Sequence, residues 1–332
     1  MGSIDWRELY ASNRAVIERA GGAPGELPTT STAAGRAQRA LVHPPAGVEH
    51  QTAVPLVCML HGCTQDAASF AAATRMNEAA DRHGFVAVYP EQDRGDNPQG
   101  CWNWFLPEHQ ARGAGEPAAI AAIVRELMGT TFDWTIDPQR VFVAGLSAGG
   151  AMAAILAAVY PDLFAAVAVH SGLSYRSAAS VGAAFTAMAR GGEDPIGQGR
   201  AAHCAMGDLA RPVPSIVVHG SADHTVAPVN ADQVLQQSMT ANRLAAPETC
   251  DVDIARPTTT SRGQVNDGHA YTRSQWTDRR GVLMHELLKV DGLGHAWSGG
   301  APGGSYSDPR GPDATEAIWS FFAQATADQP AG

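Results

Sequence analysis

The sequence predicts an α/β fold, in which a mostly parallel central sheet is covered by helices on both faces. Short runs of almost entirely apolar residues alternate along the chain with segments of helical spacing. Apolar runs of this length are typical of strands buried on both faces, and strands that alternate with helices form parallel sheets. Of the 332 residues, 45% are hydrophobic and 17% are charged, so the chain can bury a large core and is not a disordered polypeptide.

Up to residue 160 the alternation predicts four strands and four helices. Helical spacing stops at Gly21 and at Gly84, and Asp137–Pro138 marks a turn before the next apolar run. The strands are predicted at 39–43, 55–60, 85–89 and 141–144, the helices at 5–20, 69–83, 118–128 and 149–160, and long loops at 23–37 and 90–117.

Beyond residue 160 the pattern is less regular. Strands are predicted at 165–170, 216–219 and 281–290, helices at 231–242 and 313–323, and an irregular stretch at 171–211. The segment 246–280 breaks the alternation, and its turn signal Asn266–Asp267–Gly268 predicts a hairpin insertion. No linker divides the chain, so we expect one domain over residues 1–332, with residues 1–38 as its N-terminal helix and loop.

Charge argues against nucleic acid and membranes as partners. The chain carries 23 basic and 33 acidic residues, a net charge of −10, with no basic cluster. Residues 141–161 lack charge over the length of a membrane span, but glycines in the middle of the run divide it into a strand, a turn and a helix. The first ten residues, MGSIDWRELY, lack the basic and apolar regions of a signal peptide.

The strongest chemical signal is the pentapeptide Gly145–Leu146–Ser147–Ala148–Gly149. It fits G-x-S-x-G and lies between an apolar strand and a helix rich in small residues, where a nucleophilic serine is lifted on a tight turn. The flanking glycines keep Cβ atoms away from that turn, and the start of the helix favours negative charge at the serine. Ser147 is therefore the candidate nucleophile, although the pentapeptide alone also occurs by chance in chains rich in glycine.

A serine hydroxyl needs a base, and the base needs an acid that orients it. When the nucleophile comes first, the acid and then the histidine follow along the chain. Asp223 lies just past the apolar strand at 216–219, at the strand end where ligands bind in such sheets, and a surface Asp that caps a loop is the alternative. His295 follows the last strand in a loop rich in glycine and is the candidate base, whereas His170 and His219 end apolar strands and are expected at the core edge.

Two backbone N–H groups should bind the oxyanion. One is that of Ala148, directly after the nucleophile. The other is that of Cys63, in the loop after the strand at 55–60, where Gly62 permits close approach of the backbone. The alternative for this second loop is an ordinary turn that ends a strand.

With these residues placed, the chain resembles the polyhydroxybutyrate depolymerase family of α/β-hydrolase esterases, which is related to feruloyl and acetylxylan esterases. The matching segments are HGCTQDAASF at 61–70, CWNWF at 101–105, GLSAGGAMA at 145–153, HGSADHTV at 219–226, GLGHAWSGG at 292–300 and PGGSYSDPRGPDAT at 302–315. The resemblance implies an α/β-hydrolase fold, Ser147 as nucleophile, Asp223 as acid, His295 as base and Cys63 as an oxyanion donor. It also implies neither a metal nor an organic cofactor.

Three tryptophans lie in loops at the expected rim of the site, namely Trp102, Trp104 and Trp297. A polyester chain or an aromatic acid could lie on such rings, so we predict them as substrate contacts, with a roof over the core as the alternative.

The five cysteines contain no C-x-x-C pair, which argues against a zinc ribbon. We expect Cys58 to be buried, Cys63 to pair with Cys101, since both lie in loops over the same predicted site, and Cys204 to pair with Cys250. Disulfides would indicate an oxidising compartment.

The sequence therefore predicts a serine carboxylic-ester hydrolase that acts through an acyl-enzyme on a polyester or a small ester. The resemblance implies a depolymerase of polyhydroxybutyrate or another short-chain hydroxyalkanoate polyester. A feruloyl or acetylxylan esterase is the alternative, and an acyltransferase with the same triad or a binding module without catalysis are further ones. The family and the cysteines indicate an extracellular or periplasmic protein, with a cytoplasmic one as the alternative. Nothing in the sequence fixes the oligomeric state.

Overall fold

A ten-stranded sheet runs through the computed structural model, which describes residues 27–33, 36–46, 53–129 and 134–326. Its strands lie in the order β1-β2-β4-β3-β5-β6-β7-β10-β9-β8. In chain order they are β1 (Leu27–Ala33), β2 (Arg36–His43), β3 (Ala53–Leu60), β4 (Val86–Pro90), β5 (Thr135–Leu146), β6 (Ala166–His170), β7 (Ser215–Gly220), β8 (Thr259–Gln264), β9 (Ala270–Thr277) and β10 (Leu283–Val290).

The six central strands, from β4 to β10 in sheet order, are parallel, and antiparallel strands flank them on both sides. On one side β2 pairs with β4 and β1 with β2, and on the other β9 pairs with β10 and β8 with β9. Since parallel strands have their carboxyl ends at one edge, the loops after β3, β5, β7 and β10 meet there.

Helices cover both faces of the sheet, as predicted. They are α1 (Ala67–Thr74), α2 (Met76–His83), α3 (Gly115–Gly129), α4 (Ala148–Val159), α5 (Val181–Arg190), α6 (Pro195–Met206), α7 (Val229–Ala245) and α8 (Ala314–Thr326). Along β3, Leu56 and Leu60 face the core shared with α3, α4, α6 and α7, whereas Val57 and Met59 face the core shared with α1, α2 and α8. This alternation of side chains explains why the central strands are apolar throughout.

Several sequence predictions need correction. Residues 27–33 form β1 inside the predicted loop at 23–37, and the predicted helix at 69–83 is two helices because Arg75 adopts a left-handed conformation with φ 56°. The predicted irregular stretch at 171–211 contains α5 and α6, and the predicted turn Asp137–Pro138 lies within β5. The predicted helix at 5–20 lies outside the described residues.

The hairpin predicted within 246–280 is present as β8 and β9, which extend the main sheet. Asp267 in its turn has φ 54°, a conformation that Asp tolerates better than most side chains.

Candidate active site

Ser147 lies on the tight turn between β5 and α4. Its φ of 57° and ψ of −118° are unusual for a residue other than glycine. The turn is held on both sides, because the Ser147 N–H donates to the carbonyl oxygen of His170 at 2.9 Å and its own carbonyl accepts from the Ala151 N–H at 2.9 Å. Strain of this kind persists only where the surroundings fix it, and it is concentrated at functional sites.

The glycines around Ser147 are required by close packing of the backbone. A Cβ at Gly149 would lie 2.0 Å from the carbonyl oxygen of Leu60. A Cβ at Gly145 would lie 2.3 Å from the carbonyl oxygen of Gly149. Only the absence of a side chain lets the start of α4 sit against the end of β3. The G-x-S-x-G pattern therefore has a steric cause in this fold.

The loop after β3 lies directly against Ser147. A Cβ at Gly62 would be 3.5 Å from the Cβ of Ser147, and the Gly62 N–H is held by Gln65 Oε1 at 2.9 Å. Within residues 27–33, 36–46, 53–129 and 134–326, the N–H groups of Cys63 and Ala148 donate to no protein acceptor. Two N–H groups without a protein acceptor in the described residues thus lie on the two segments that flank Ser147.

His61 fixes the shape of this loop. Its Nε2 accepts from the backbone N–H of Gln92 at 3.0 Å, so the ring hydrogen is on Nδ1, which donates to the Gly62 carbonyl at 2.8 Å. The indole N–H of Trp102 donates to the His61 carbonyl at 3.1 Å. Burial lowers the pKa of His61, so the ring stays neutral and keeps both bonds.

A disulfide joins the same loop to the segment that follows β4. Cys63 and Cys101 are bonded, which confirms the predicted pair. The predicted pair of Cys204 and Cys250 is wrong, because Cys204 is an exposed thiol and Cys250 a buried one. Cys58 is free and buried, as predicted.

A buried carboxylate, Glu116, holds the far side of that segment. Its Oε1 accepts from the side-chain amides of Gln92 at 2.6 Å and Asn103 at 2.7 Å, and its Oε2 accepts from the backbone N–H of Asn103 at 2.7 Å. Gln92 also donates to the Cys101 carbonyl at 3.1 Å. Burial raises the pKa of Glu116 to about 7, although the three hydrogen bonds oppose that rise.

Asp223 and His295 are brought together by the neighbouring strands β7 and β10. His295 Nδ1 donates to Asp223 Oδ2 at 2.8 Å, while Asp223 Oδ1 accepts the N–H groups of Thr225 and Val226 at 3.0 and 2.9 Å. Burial acts to raise the pKa of Asp223, but the hydrogen bond and charge of His295 and the Val226 N–H outweigh it, so the pKa lies below its usual value. Asp223 is therefore ionised at neutral pH, and its hydrogen bond holds the His295 imidazole in one orientation.

The loop that carries His295 is fastened to the end of β7. The Ala222 N–H donates to the Leu293 carbonyl at 3.0 Å, and the Gly292 N–H donates to Ser221 Oγ at 2.9 Å. A Cβ at Gly220 would lie 2.1 Å from the Leu293 oxygen, so this contact also needs a glycine.

His170 contacts the Ser147 turn, although the sequence predicts it only at the core edge. Its carbonyl accepts the N–H of Ser147, and its ring Nε2 accepts the N–H of Ser298 at 3.1 Å, so it ties the nucleophile turn to the segment after His295. Burial, followed by the charges of His219 and His295, lowers its pKa to about 3, which keeps the ring neutral. The sequence feature that could have predicted this contact is the position of His170 at the end of β6, the first strand after Ser147 along the chain.

The predicted role of the tryptophans as substrate contacts is wrong. Trp297 and Trp102 are 0% exposed and Trp104 is 5% exposed, so none presents a ring face to solvent. Trp297 stacks on His170 with ring centroids 4.9 Å apart and donates to Thr315 Oγ1 at 3.1 Å. Trp102 in turn packs against the His61 ring, with centroids 5.5 Å apart, so these two rings support residues that neighbour Ser147.

The described residues show neither a metal-binding group of side chains nor a membrane-spanning helix. Within them, no three or more His, Cys, Asp or Glu side chains form a group that could hold a metal ion. In that part of the chain there is also no helix long and apolar enough to cross a membrane.

A serine on a strained turn after β5, with an acid and a histidine after β7 and β10, is the arrangement of the α/β-hydrolase class. The fold agrees with this class. An acetyl xylan esterase from Aspergillus awamori superposes with a TM-score of 0.68 over 90% of this chain and 99% of that one, at 20% sequence identity.

The chain belongs to the family described as Esterase PHB depolymerase, whose profile matches residues 38–266. Poly(3-hydroxyalkanoate) depolymerase C of Paucimonas lemoignei is 40% identical over 204 residues, which are 59% of this chain and 46% of that protein. Feruloyl esterase B of Neurospora crassa is 36% identical over 121 residues, which are 36% of this chain and 39% of that protein. The chain thus spans less than half the length of these two relatives.

Proposed function

We propose that this protein is a serine carboxylic-ester hydrolase that depolymerises polyhydroxybutyrate or another short-chain hydroxyalkanoate polyester. The observation that carries the proposal is the 2.8 Å bond between His295 and Asp223, at the same sheet edge as the strained Ser147 turn. The likeness to a poly(3-hydroxyalkanoate) depolymerase supports the choice of substrate.

In the proposed mechanism, Ser147 Oγ attacks the ester carbonyl and His295 Nε2 takes its proton. Asp223 holds the imidazole in the tautomer with its hydrogen on Nδ1 and stabilises the imidazolium. The same proton then passes to the leaving alcohol oxygen, which yields the acyl-enzyme and a free alcohol. Water, activated by His295, cleaves the acyl-enzyme and returns Ser147 to its starting state.

The N–H groups of Cys63 and Ala148 bind the negative oxygen of the tetrahedral intermediate in this mechanism. Both are free of protein acceptors in the described residues, and each lies on a segment that touches the nucleophile turn. A preorganised donor of this kind contributes about 3–4 kcal/mol to lowering the barrier. His61, Glu116 and the disulfide act on the reaction only by holding the Cys63 loop.

A feruloyl or acetylxylan esterase is the second candidate, favoured by the likeness to feruloyl esterase B and by the superposition on an acetyl xylan esterase. The site chemistry is the same for both candidates, and only the groups on either side of the ester differ.

We also propose that the protein works in an oxidising compartment, outside the cytoplasm. The Cys63–Cys101 bond supports this, because the cytosol keeps most cysteine thiols reduced and disulfides persist in oxidising compartments.

The first experiment measures the clearing of an amorphous polyhydroxybutyrate suspension by turbidity, with release of ferulate from methyl ferulate assayed in parallel. Wild type should clear the suspension, and Ser147→Ala should lower the rate by about 10⁴-fold or more. Ser261→Ala, at an exposed serine on β8, is the matched control and should keep full activity. Ferulate release without clearing would favour the second candidate, and no turnover of either substrate would refute the esterase proposal.

A further inference from the structure

Tyr306 is an exposed aromatic residue beside His295. This residue is 44% exposed, and it is one of seven large hydrophobic residues that are exposed in the described part of the chain. The other six are Val181, Phe185, Ile196, Leu209, Val229 and Leu244. Those six lie on or next to α5, α6 and α7, whereas Tyr306 directly precedes the short strand β12 (Ser307–Asp308), which pairs with β11 (Trp297–Ser298).

The phenol ring lies between His295 and the Cys63 loop. It meets the His295 ring edge to face, with centroids 6.1 Å apart and an interplanar angle of 78°. Its hydroxyl oxygen accepts a long hydrogen bond of 3.4 Å from Thr64 Oγ1, the residue after Cys63. Thr64 donates this bond, so the phenol O–H remains available as a donor to another molecule.

The backbone holds the ring in this place at the cost of strain. Tyr306 has φ 48°, and its partner Thr64 has φ 66°. The Tyr306 carbonyl accepts the N–H of Trp297 at 2.7 Å, and the preceding carbonyl, that of Ser305, accepts from Gln65 at 2.9 Å. Left-handed residues other than glycine mark positions that the surrounding structure fixes, and such positions are concentrated at functional sites.

We propose that Tyr306 contacts the alcohol portion of the ester and sets the preference of the enzyme for that portion. The inference rests on the proposed function. The proton that His295 takes from Ser147 Oγ must pass to the leaving alcohol oxygen, so the alcohol portion lies over the imidazole, and Tyr306 is the exposed ring that faces this imidazole. The acyl carbonyl points instead at the N–H groups of Cys63 and Ala148.

The chemistry of the ring indicates the class of alcohol. Its face packs against hydrocarbon, and its O–H donates to an oxygen, so it suits an alcohol that itself carries an acyl group. In a hydroxyalkanoate polyester the alcohol portion is the next hydroxyacyl unit, with a methylene chain for the ring and an ester carbonyl for the hydroxyl. Simple alkyl alcohols would use only the ring.

The test varies the two halves of the ester independently. One series holds butyrate constant and changes the alcohol from methanol to benzyl alcohol to methyl 3-hydroxybutyrate. The other holds methanol constant and changes the acyl group from acetate to butyrate to hexanoate. Wild type, Tyr306→Ala and Tyr306→Phe are compared by kcat and KM, and Phe185→Ala, at a ring that is 67% exposed on α5, is the matched control.

Tyr306→Ala should lower kcat/KM about tenfold for the benzyl and hydroxybutyrate esters, mainly through KM, and should leave the trend along the acyl series unchanged. Tyr306→Phe should match wild type on the benzyl ester and lower kcat/KM only for the hydroxybutyrate ester, by no more than Tyr306→Ala does. Phe185→Ala should follow wild type throughout. Melting temperatures of all variants separate a binding effect from loss of the fold.

Equal changes in both series, or a change along the acyl series alone, would overturn the assignment of Tyr306 to the alcohol portion. Unchanged alcohol discrimination in Tyr306→Ala would overturn it as well and leave the esterase proposal standing. If wild type hydrolyses no ester of either series, the proposed function fails and this proposal fails with it.

Discussion

Reduction of the Cys63–Cys101 bond should cost both stability and activity. The bond closes a loop with a sequence separation of 38 residues. Opening a loop of that length adds chain entropy to the unfolded state equivalent to about 4 kcal/mol. For a chain of 332 residues this corresponds to a fall in melting temperature of about 6 °C. The proposed activity should fall too, because the bond joins the Cys63 loop, the proposed source of an oxyanion donor, to the segment held by Glu116.

The assay compares wild type with Cys101→Ser, which leaves the backbone N–H of Cys63 in place. Melting curves and ester turnover are recorded with and without a phosphine reductant. Reductant should lower the melting temperature of wild type to that of Cys101→Ser and have no effect on the variant. Cys204→Ser, at an exposed free thiol, is the control and should match wild type. A Cys101→Ser variant that melts within about 1 °C of wild type at full activity would refute the reasoning.

Three further predictions concern stability and are checked by urea denaturation. Gly149→Ala should lower the free energy of unfolding by about 3 kcal/mol or prevent folding, since its Cβ would lie 2.0 Å from a carbonyl oxygen. Gly182→Ala is the control, because its Cβ would have nothing within 4 Å, and it should change the free energy of unfolding by less than about 1 kcal/mol. Trp297→Ala should lower the free energy of unfolding by about 3–5 kcal/mol, because the ring is buried, and Phe185→Ala, at an exposed ring, by less than about 0.5 kcal/mol. Equal losses in the two variants would contradict the structural role of the buried Trp297 ring. A pKa of Glu116 raised to about 7 means that its contribution to stability is present below pH 4.5 and lost as the pH rises through 7. Wild type should therefore gain about 2 kcal/mol relative to Glu116→Gln between pH 8 and pH 5.5, and a difference independent of pH would contradict the shift.

The sequence predicted those parts of the fold that depend on local pattern. Apolar runs identified the central strands, and the turn signal at Asn266–Asp267–Gly268 identified the hairpin. Residues 171–211 were predicted as irregular because small residues and glycines obscure helical spacing there, although Ser180 and Asp194 cap α5 and α6 with their side chains. Ser180 and Asp194 could therefore have predicted the first turns of α5 and α6 from the sequence.

The sequence could propose site residues where chemistry fixes their order along the chain, but it could not predict which side chains are buried. Asp223 and His295 could be chosen because each follows an apolar strand, and the structure places them 2.8 Å apart. Trp297 was assigned wrongly because its position two residues after His295 does not determine whether its side chain points into the core or toward solvent. The same limit applies to Cys204 and Cys250, whose pairing depends on the separation of two elements in space rather than on sequence.

The sheet order has a consequence for how the chain could be divided into two pieces. Ser147 and Asp223 precede the turn between β8 and β9, and His295 follows it, yet β10 lies inside the sheet beside β7. A chain opened at that turn would yield two pieces, each with only part of the proposed triad. Asp223 and His295 could meet again only after the pieces rebuilt the β7–β10 ladder, so the proposed ester cleavage would report their reassembly, as in a split reporter enzyme.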